Sequence, residues 1–129
     1  MSETRKRLNV LVAEDDPVTR RLLEASLTNW NYEVLSTGDG EEAQKMLHSA
    51  KFDVCIFDWE MPNVSGIDLC KWVGSAQLVP KPYVILLTSH SEIGAVSEIY
   101  KAGADDYVGK PFDREHLRRR LEIGTRRCG

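Results

Sequence analysis

The stretch VCIFDWEMPNVSG, residues 54–66, decides how the rest of the chain is read. It opens with four apolar residues in succession, two of them β-branched, a short run that matches a strand covered on both faces. The run stops on an acid, Asp58, and a second acid, Glu60, follows in a segment that Pro62 and Gly66 keep from being regular. A carboxylate at the mouth of a buried strand needs a reason, and the neighbouring segments supply it.

Outward from residues 54–66 the same pattern recurs. LNVLVA (8–13) precedes DPVTRRLLEASLTNW (16–30), with Asp16 placed to cap a helix and Pro17 to occupy its first position. YEVLST (32–37) precedes DGEEAQKMLHSA (39–50), where Ala43, Met46, Leu47 and Ala50 repeat at helical spacing behind an acidic first turn. DVCIF leads to a helix around SGIDLCKWVGSA, YVILL to SEIGAVSEIYKAG, and DDYVGKP to DREHLRRRLEIG. Strands apolar on both faces, alternating with helices, imply a parallel sheet with right-handed crossovers that place helices on both sides. The expected fold is α/β: a doubly wound five-stranded parallel sheet with five helices, in the flavodoxin-like order 2-1-3-4-5.

Composition narrows the function. A chain of 129 residues fits one domain, 1–129 with its core at about 8–123, large enough to hold together without disulfides or metal staples. Hydrophobic residues make up 42% and charged residues 29%, with a net charge of −3, so no global basic excess points to nucleic acid. Cys55, Cys70 and Cys128 show no metal-ligand spacing, which fits a reducing cytoplasm. The apolar run after the basic N-terminal lead is too short for a signal or a membrane span. A soluble cytoplasmic protein is expected, with no nucleic-acid or membrane contact by this chain.

In doubly wound sheets ligands bind at the carboxyl ends of the strands near the point where strand order reverses, here between the first and third strands. The residues at those ends are Glu14 and Asp15, Asp58, Thr88 and, just past the fifth strand, Lys110. Carboxylates packed at ~4 Å repel by about 4 kcal/mol per pair at an effective dielectric of ~20, and a divalent cation removes that cost. A few hard oxygen ligands, with room left for water and phosphate oxygens, suit Mg²⁺ better than Ca²⁺. Asp58 then fits as a nucleophile, because a carboxylate can attack phosphorus to give an aspartyl phosphate. Lys110 and Thr88 are placed to hold phosphoryl oxygens.

Taken together and in order, LVAEDDP (11–17), FDWEMPNVSG (57–66), ILLTS (85–89) and GADDYVGKPF (103–112) resemble the receiver domain of two-component response regulators, chemotaxis regulators included. The resemblance implies Asp58 as phosphoacceptor, Glu14 and Asp15 as the acidic pair for Mg²⁺, and the main-chain carbonyl of Glu60 as a further metal ligand. It implies Thr88 as switch hydroxyl, Tyr107 as switch aromatic, Lys110 as the amine of the site, and a cis Lys110–Pro111 bond. Glu14 stands where the family often has Asp, which lengthens one metal arm. Trp59, Glu60, Ser89 and His90 are the individual features around the site, with Glu60 and His90 where the family tunes phosphoryl lifetime. The implied donor is a sensor histidine kinase or a histidine phosphotransfer protein. The implied output face is the fourth helix, fifth strand and fifth helix, where Ile93, Val96, Tyr100, Tyr107 and Leu117 with Glu98, Lys101, Asp105 and Arg118 would support a homodimer. Two readings stay open for the C-terminal tail, a stand-alone regulator and the start of a linker to an output domain beyond residue 129, with a slight preference for the second. Such a protein catalyses only its own phosphorylation and dephosphorylation.

A rival reading is an aspartate-dependent phosphohydrolase on a related α/β scaffold, since Glu60, two residues after Asp58, stands where that class places its general acid. Against it are the lack of a substrate-binding insertion in 129 residues and the acid pair at the first strand. A flavodoxin-type carrier lacks its Ser/Thr/Gly-rich phosphate loop here, because EDDP repels phosphate unless a metal intervenes. Singly, each site residue also has a plain structural reading. Asp58 would cap a turn, Thr88 end a strand, Lys110 sit in solvent and Tyr107 serve as a β-former. Asp16 reads as a helix cap rather than a ligand. His48, His90 and His116 have no ligand spacing, and Arg118–Arg120 reads as a solvated helix face with a partner role open.

Overall fold

The computed structural model describes residues 7–89 and 93–126. His90, Cys128, the N-terminal lead at 1–6 and the tail at 127–129 lie outside the described residues. Elements alternate as expected: β1 (Asn9–Ala13), α1 (Pro17–Asn29), β2 (Glu33–Thr37), α2 (Gly40–Ser49), β3 (Val54–Asp58), α3 (Gly66–Ser75), β4 (Tyr83–Thr88), α4 (Ile93–Lys101), β5 (Asp106–Gly109) and α5 (Arg114–Arg126). The five strands pair in parallel in the order β2-β1-β3-β4-β5. Among the described residues no helix is long and apolar enough to cross a membrane.

Alternate residues of each central strand enter opposite layers, as the pleat requires. Leu11, Cys55, Phe57, Val84 and Leu86 pack with Ala43 and Leu47 of α2, Leu69 and Val73 of α3 and Ile99 of α4. Val10, Val12, Ile56, Ile85 and Leu87 pack with Leu23 and Leu27 of α1 and Leu117 and Leu121 of α5. Each helix buries one stripe and turns its charges outward, so both faces of the central strands β1, β3 and β4 are covered.

Local signals set the boundaries. Asp16 caps α1 by accepting the Thr19 amide at 2.9 Å, with Pro17 at the first position. The helix stops where Asn31 takes a left-handed conformation, φ 74°, which an asparagine tolerates. Burial on both faces holds for β1, β3 and β4 but not for β2, whose Leu35 is 53% exposed. As the edge strand, β2 is covered on one face only.

The output face also differs from expectation. Leu117 is fully buried in the core rather than on the surface, because α5 packs against β3 and β5 and turns it into that layer. Asp105 gives its carboxylate to the Val84 amide, and Arg118 lies over the Trp30 ring at the α1 side of the molecule, 5.8 Å from the ring centroid. Tyr100 and Tyr107 remain on this face in edge-to-face contact, ring centroids 6.0 Å apart, and Arg120 bridges α5 to Asp106 at 3.5 Å. The Ile93 side chain lies outside the described residues.

Candidate functional site

Parallel strands deliver their carboxyl ends to one edge of the sheet, so residues far apart in sequence meet there. Glu14 follows β1, and its amide extends the ladder by donating to the Thr37 carbonyl at 2.9 Å. Its carboxylate is fully buried: one oxygen accepts the Asp16 amide at 3.0 Å, and the other accepts Lys110 Nζ at 3.1 Å. Asp58 ends β3, nearly buried, and its Oδ1 accepts from the same ammonium at 3.2 Å. Lys110 in turn is tied down by its own amide, which donates to the Thr88 carbonyl at 2.8 Å, and the Lys110–Pro111 bond is cis. Asp15 is exposed at the mouth of the same cleft. Glu14, Asp15 and Asp58 each offer an oxygen within 4.8 Å of the others.

One ammonium therefore faces two buried acids, with a third acid alongside. Burial lifts Glu14 from its ordinary value to about 7, and the Asp58 charge adds to the rise, while the Asp16 amide and Lys110 oppose it. Asp58 is also raised, again by burial first, with Lys110 pulling the other way. Burial works to lower the Lys110 ammonium, but the hydrogen bond to Glu14 and the charges of Glu14 and Asp58 together leave it raised. The site is electrostatically short of positive charge. Three hard oxygen donors with an exposed side match what a divalent cation such as Mg²⁺ requires, and Glu14, Asp15 and Asp58 would hold it.

The remaining expected residues divide. Thr88, the last residue of β4, is buried beside the cleft, one position beyond the residue that pairs with Asp58. Tyr107 is half-buried on β5, opposite Leu86 and against Tyr100. Glu60 is exposed on the β3–α3 loop, and Trp59 is half-buried, its amide donating to the Leu87 carbonyl at 2.9 Å and its carbonyl accepting the Gly66 amide at 2.8 Å. His90 lies outside the described residues. The two described thiols are buried away from this chemistry: burial holds Cys55 well above the ordinary value and pushes Cys70 up to about 12. Two contacts around the cleft carry no sequence signal. Arg20 Nη1 donates to the Glu14 carbonyl at 2.8 Å, and Asn63 Nδ2 donates to Asp39 Oδ2 at 2.7 Å.

Comparison with known proteins gives the same picture. The transcriptional regulatory protein YrkP of Bacillus subtilis is 39% identical over 92% of this chain and 49% of its own length. The chain spans about half the length of the curated relatives it matches. The receiver domain of the Francisella response regulator 1452 is 31% identical, with a TM-score of 0.88 over 95% of this chain and 100% of that one. The receiver domain of a sensor histidine kinase from Pseudomonas aeruginosa, solved with a magnesium ion coordinated in its active site cleft, is 27% identical, with a TM-score of 0.82 over 94% of this chain and 97% of that one. The response regulator receiver domain model matches residues 10–122, and the chain belongs to that family.

Proposed function

We propose that in this receiver domain Asp58 accepts the phosphoryl group, from a phosphohistidine of a sensor histidine kinase or histidine phosphotransfer protein, at a site that also holds Mg²⁺. The observation that carries this reading is the convergence of Glu14, Asp15 and Asp58 within 4.8 Å, with Lys110 bonded to two of them. An Asp58 carboxylate oxygen attacks phosphorus, the P–N bond to the donor imidazole breaks with its electrons returning to nitrogen, and a mixed anhydride forms. When bound, Mg²⁺ neutralises phosphoryl oxygens and orients them. Its ligands here would be Glu14, Asp15, Asp58 and the main-chain carbonyl of Glu60. Lys110 opposes the rise that burial imposes on Asp58 before the reaction and pairs with a phosphoryl oxygen after it. In the reverse half, water attacks phosphorus and the P–O bond to Asp58 breaks, releasing inorganic phosphate. The chain acts in this way only on itself, with Glu60 and His90 setting access of that water.

Thr88, buried beside Asp58, is the hydroxyl that would follow the added oxygens, and Tyr107 would turn into the space it leaves. The face of α4, β5 and α5 is then the one to change, with Tyr100, Lys101 and the Arg120–Asp106 pair available for a homodimer. The relatives' greater length supports an output domain beyond residue 129, and the family supports a cytoplasmic setting. The family match favours this signalling role over the phosphohydrolase alternative.

Incubation with acetyl phosphate and Mg²⁺ is expected to add one phosphoryl group, labile to hydroxylamine, that Asp58→Asn abolishes. A hydroxylamine-stable adduct, or one that survives in Asp58→Asn, would sink the assignment.

A further inference from the structure

The candidate metal ligands come from the end of β3, with Asp58, and from two loops, β1–α1 with Glu14 and Asp15 and β3–α3 with Glu60, while the β2–α2 loop touches both loops and contributes no ligand. We infer that this third loop, Gly38–Asp39–Gly40, is the clamp that fixes the two ligand-bearing loops, with Arg20 and Asn63 as its positioning residues. The inference rests on the metal-site reading given under Proposed function.

On one side, Arg20 is rooted in α1 by its amide, which donates to the Asp16 carbonyl at 2.9 Å, and its guanidinium reaches back to the Glu14 carbonyl at 2.8 Å. It passes directly over Gly38. A Cβ there would stand 2.7 Å from Arg20 Nη1, the movable end of a flexible side chain, and in ordinary van der Waals contact with the Asp15 Cα at 3.5 Å and the Glu14 carbonyl oxygen at 3.6 Å, so the turn packs directly against the β1–α1 loop. Among the described residues Arg20 forms no ion pair within 4.0 Å of a carboxylate, so its strongest contact is with main chain, and it leaves the acids free for a cation.

On the other side, Asp39 divides its oxygens. Oδ1 caps α2 by accepting the Glu41 and Glu42 amides at 2.7 and 3.4 Å, while Oδ2 accepts Asn63 Nδ2 at 2.7 Å. Asn63 sits at φ 71°, and the Gly40 amide donates to the Pro62 carbonyl at 3.4 Å. A Cβ on Gly40 would lie 2.0 Å from the Val64 carbonyl oxygen, a main-chain atom, so here only glycine permits the contact. Both ligand-bearing loops are thus held against one short turn.

Charge and position predict opposite signs for the loss of Arg20. By Coulomb's law alone, removing a cation near three acids strengthens binding of a second cation. Loss of a group that orients ligands weakens it, by about 10- to 100-fold for partners of metal ligands. The experiment is Mg²⁺ titration by calorimetry at pH 8 on the whole chain, wild type against Arg20→Ala and Asn63→Ala, with melting temperatures in EDTA as the fold control. Arg20→Ala is expected to bind Mg²⁺ about 10-fold more weakly and Asn63→Ala to weaken it less, with metal-free melting shifted by only a few degrees. Guanidinium ion added at constant ionic strength should restore affinity to Arg20→Ala and leave the wild type unchanged. Unchanged or tighter binding by Arg20→Ala overturns the clamp while the metal site stands, as does a loss that guanidinium does not restore. Absence of Mg²⁺ binding in the wild type overturns the metal reading and the clamp with it.

Discussion

The two ends of the sheet use the same residue types to opposite effect. At the amino ends, Asp53 and Asp105 stand just before β3 and β5, and each closes the start of a neighbouring strand. Asp53 Oδ2 accepts the Asn9 amide at 2.8 Å while the Asp53 amide donates to the Asn9 carbonyl at 2.8 Å. Asp105 repeats the arrangement on Val84, at 2.8 and 2.9 Å. At the carboxyl ends, Glu14 and Asp58 are more deeply buried and share one ammonium, and burial raises both. A carboxylate given main-chain donors completes a ladder, whereas one left short of compensation is poised to take a cation or react.

The sharpest way to break this comparison is to remove the shared cation. Lys110→Met leaves two buried acids uncompensated, and at pH 8 without metal it should destabilise the fold by about 3 kcal/mol in urea unfolding, at the low end for a broken buried pair because Lys110 is partly exposed. The loss should shrink at pH 5, below the Glu14 value of about 7, where that acid is protonated, and also when Mg²⁺ is added. Equal losses at both pH values would mean that Lys110 matters for packing rather than for charge.

Glu14→Gln tests the sign directly. The folded value of about 7 exceeds the ordinary 4.5, so the folded state holds this proton more tightly than the unfolded chain does. Its contribution to stability is fully present below the unfolded value and is lost as pH rises through about 7. At pH 8 without metal, Glu14→Gln should therefore stabilise the fold, by on the order of 2 kcal/mol, and the gain should disappear near pH 4. Mg²⁺ should reverse the order, because only the wild type offers the carboxylate. Destabilisation at pH 8 without metal would refute the view of Glu14 as an undercompensated acid.

The smallest effect belongs to the other end. Asp105→Ala removes one hydrogen bond to the Val84 amide and should cost about 1 kcal/mol, with phosphorylation by acetyl phosphate and Mg²⁺ affinity unchanged. A change in either would show that the two ends are coupled.

Much of the fold was legible because its signals are local. Asp16 before Pro17 marks the start of α1, and the apolar runs at 54–57 and 83–87 mark buried strands without reference to any partner. The cleft was legible for a topological reason: parallel strands carry whatever follows each one to the same edge, so Glu14, Asp58, Thr88 and Lys110 could be gathered without coordinates. Leu117 and Arg118 were misplaced because helical spacing says which residues share a stripe but not which neighbour the stripe meets, and the use of Asp105 on the Val84 amide depends on the pairing of β4 with β5. The exposure of Leu35 follows from the edge position of β2, which pairing order decides and composition does not.

By itself, then, the sequence determined the alternation of strands and helices, the sheet order it implies and the identity of the acids at its carboxyl edge, since period, caps and strand ends are properties of neighbouring residues. Only the tertiary structure decided how those acids are compensated. That Lys110 is shared by Glu14 and Asp58, that Arg20 serves a carbonyl rather than a carboxylate, and that Gly40 admits the close approach of the β3–α3 loop are matters of distance between segments remote in sequence. Such distances are set by how α1 and the connecting loops settle on the sheet, and packing of that kind depends on the whole core at once.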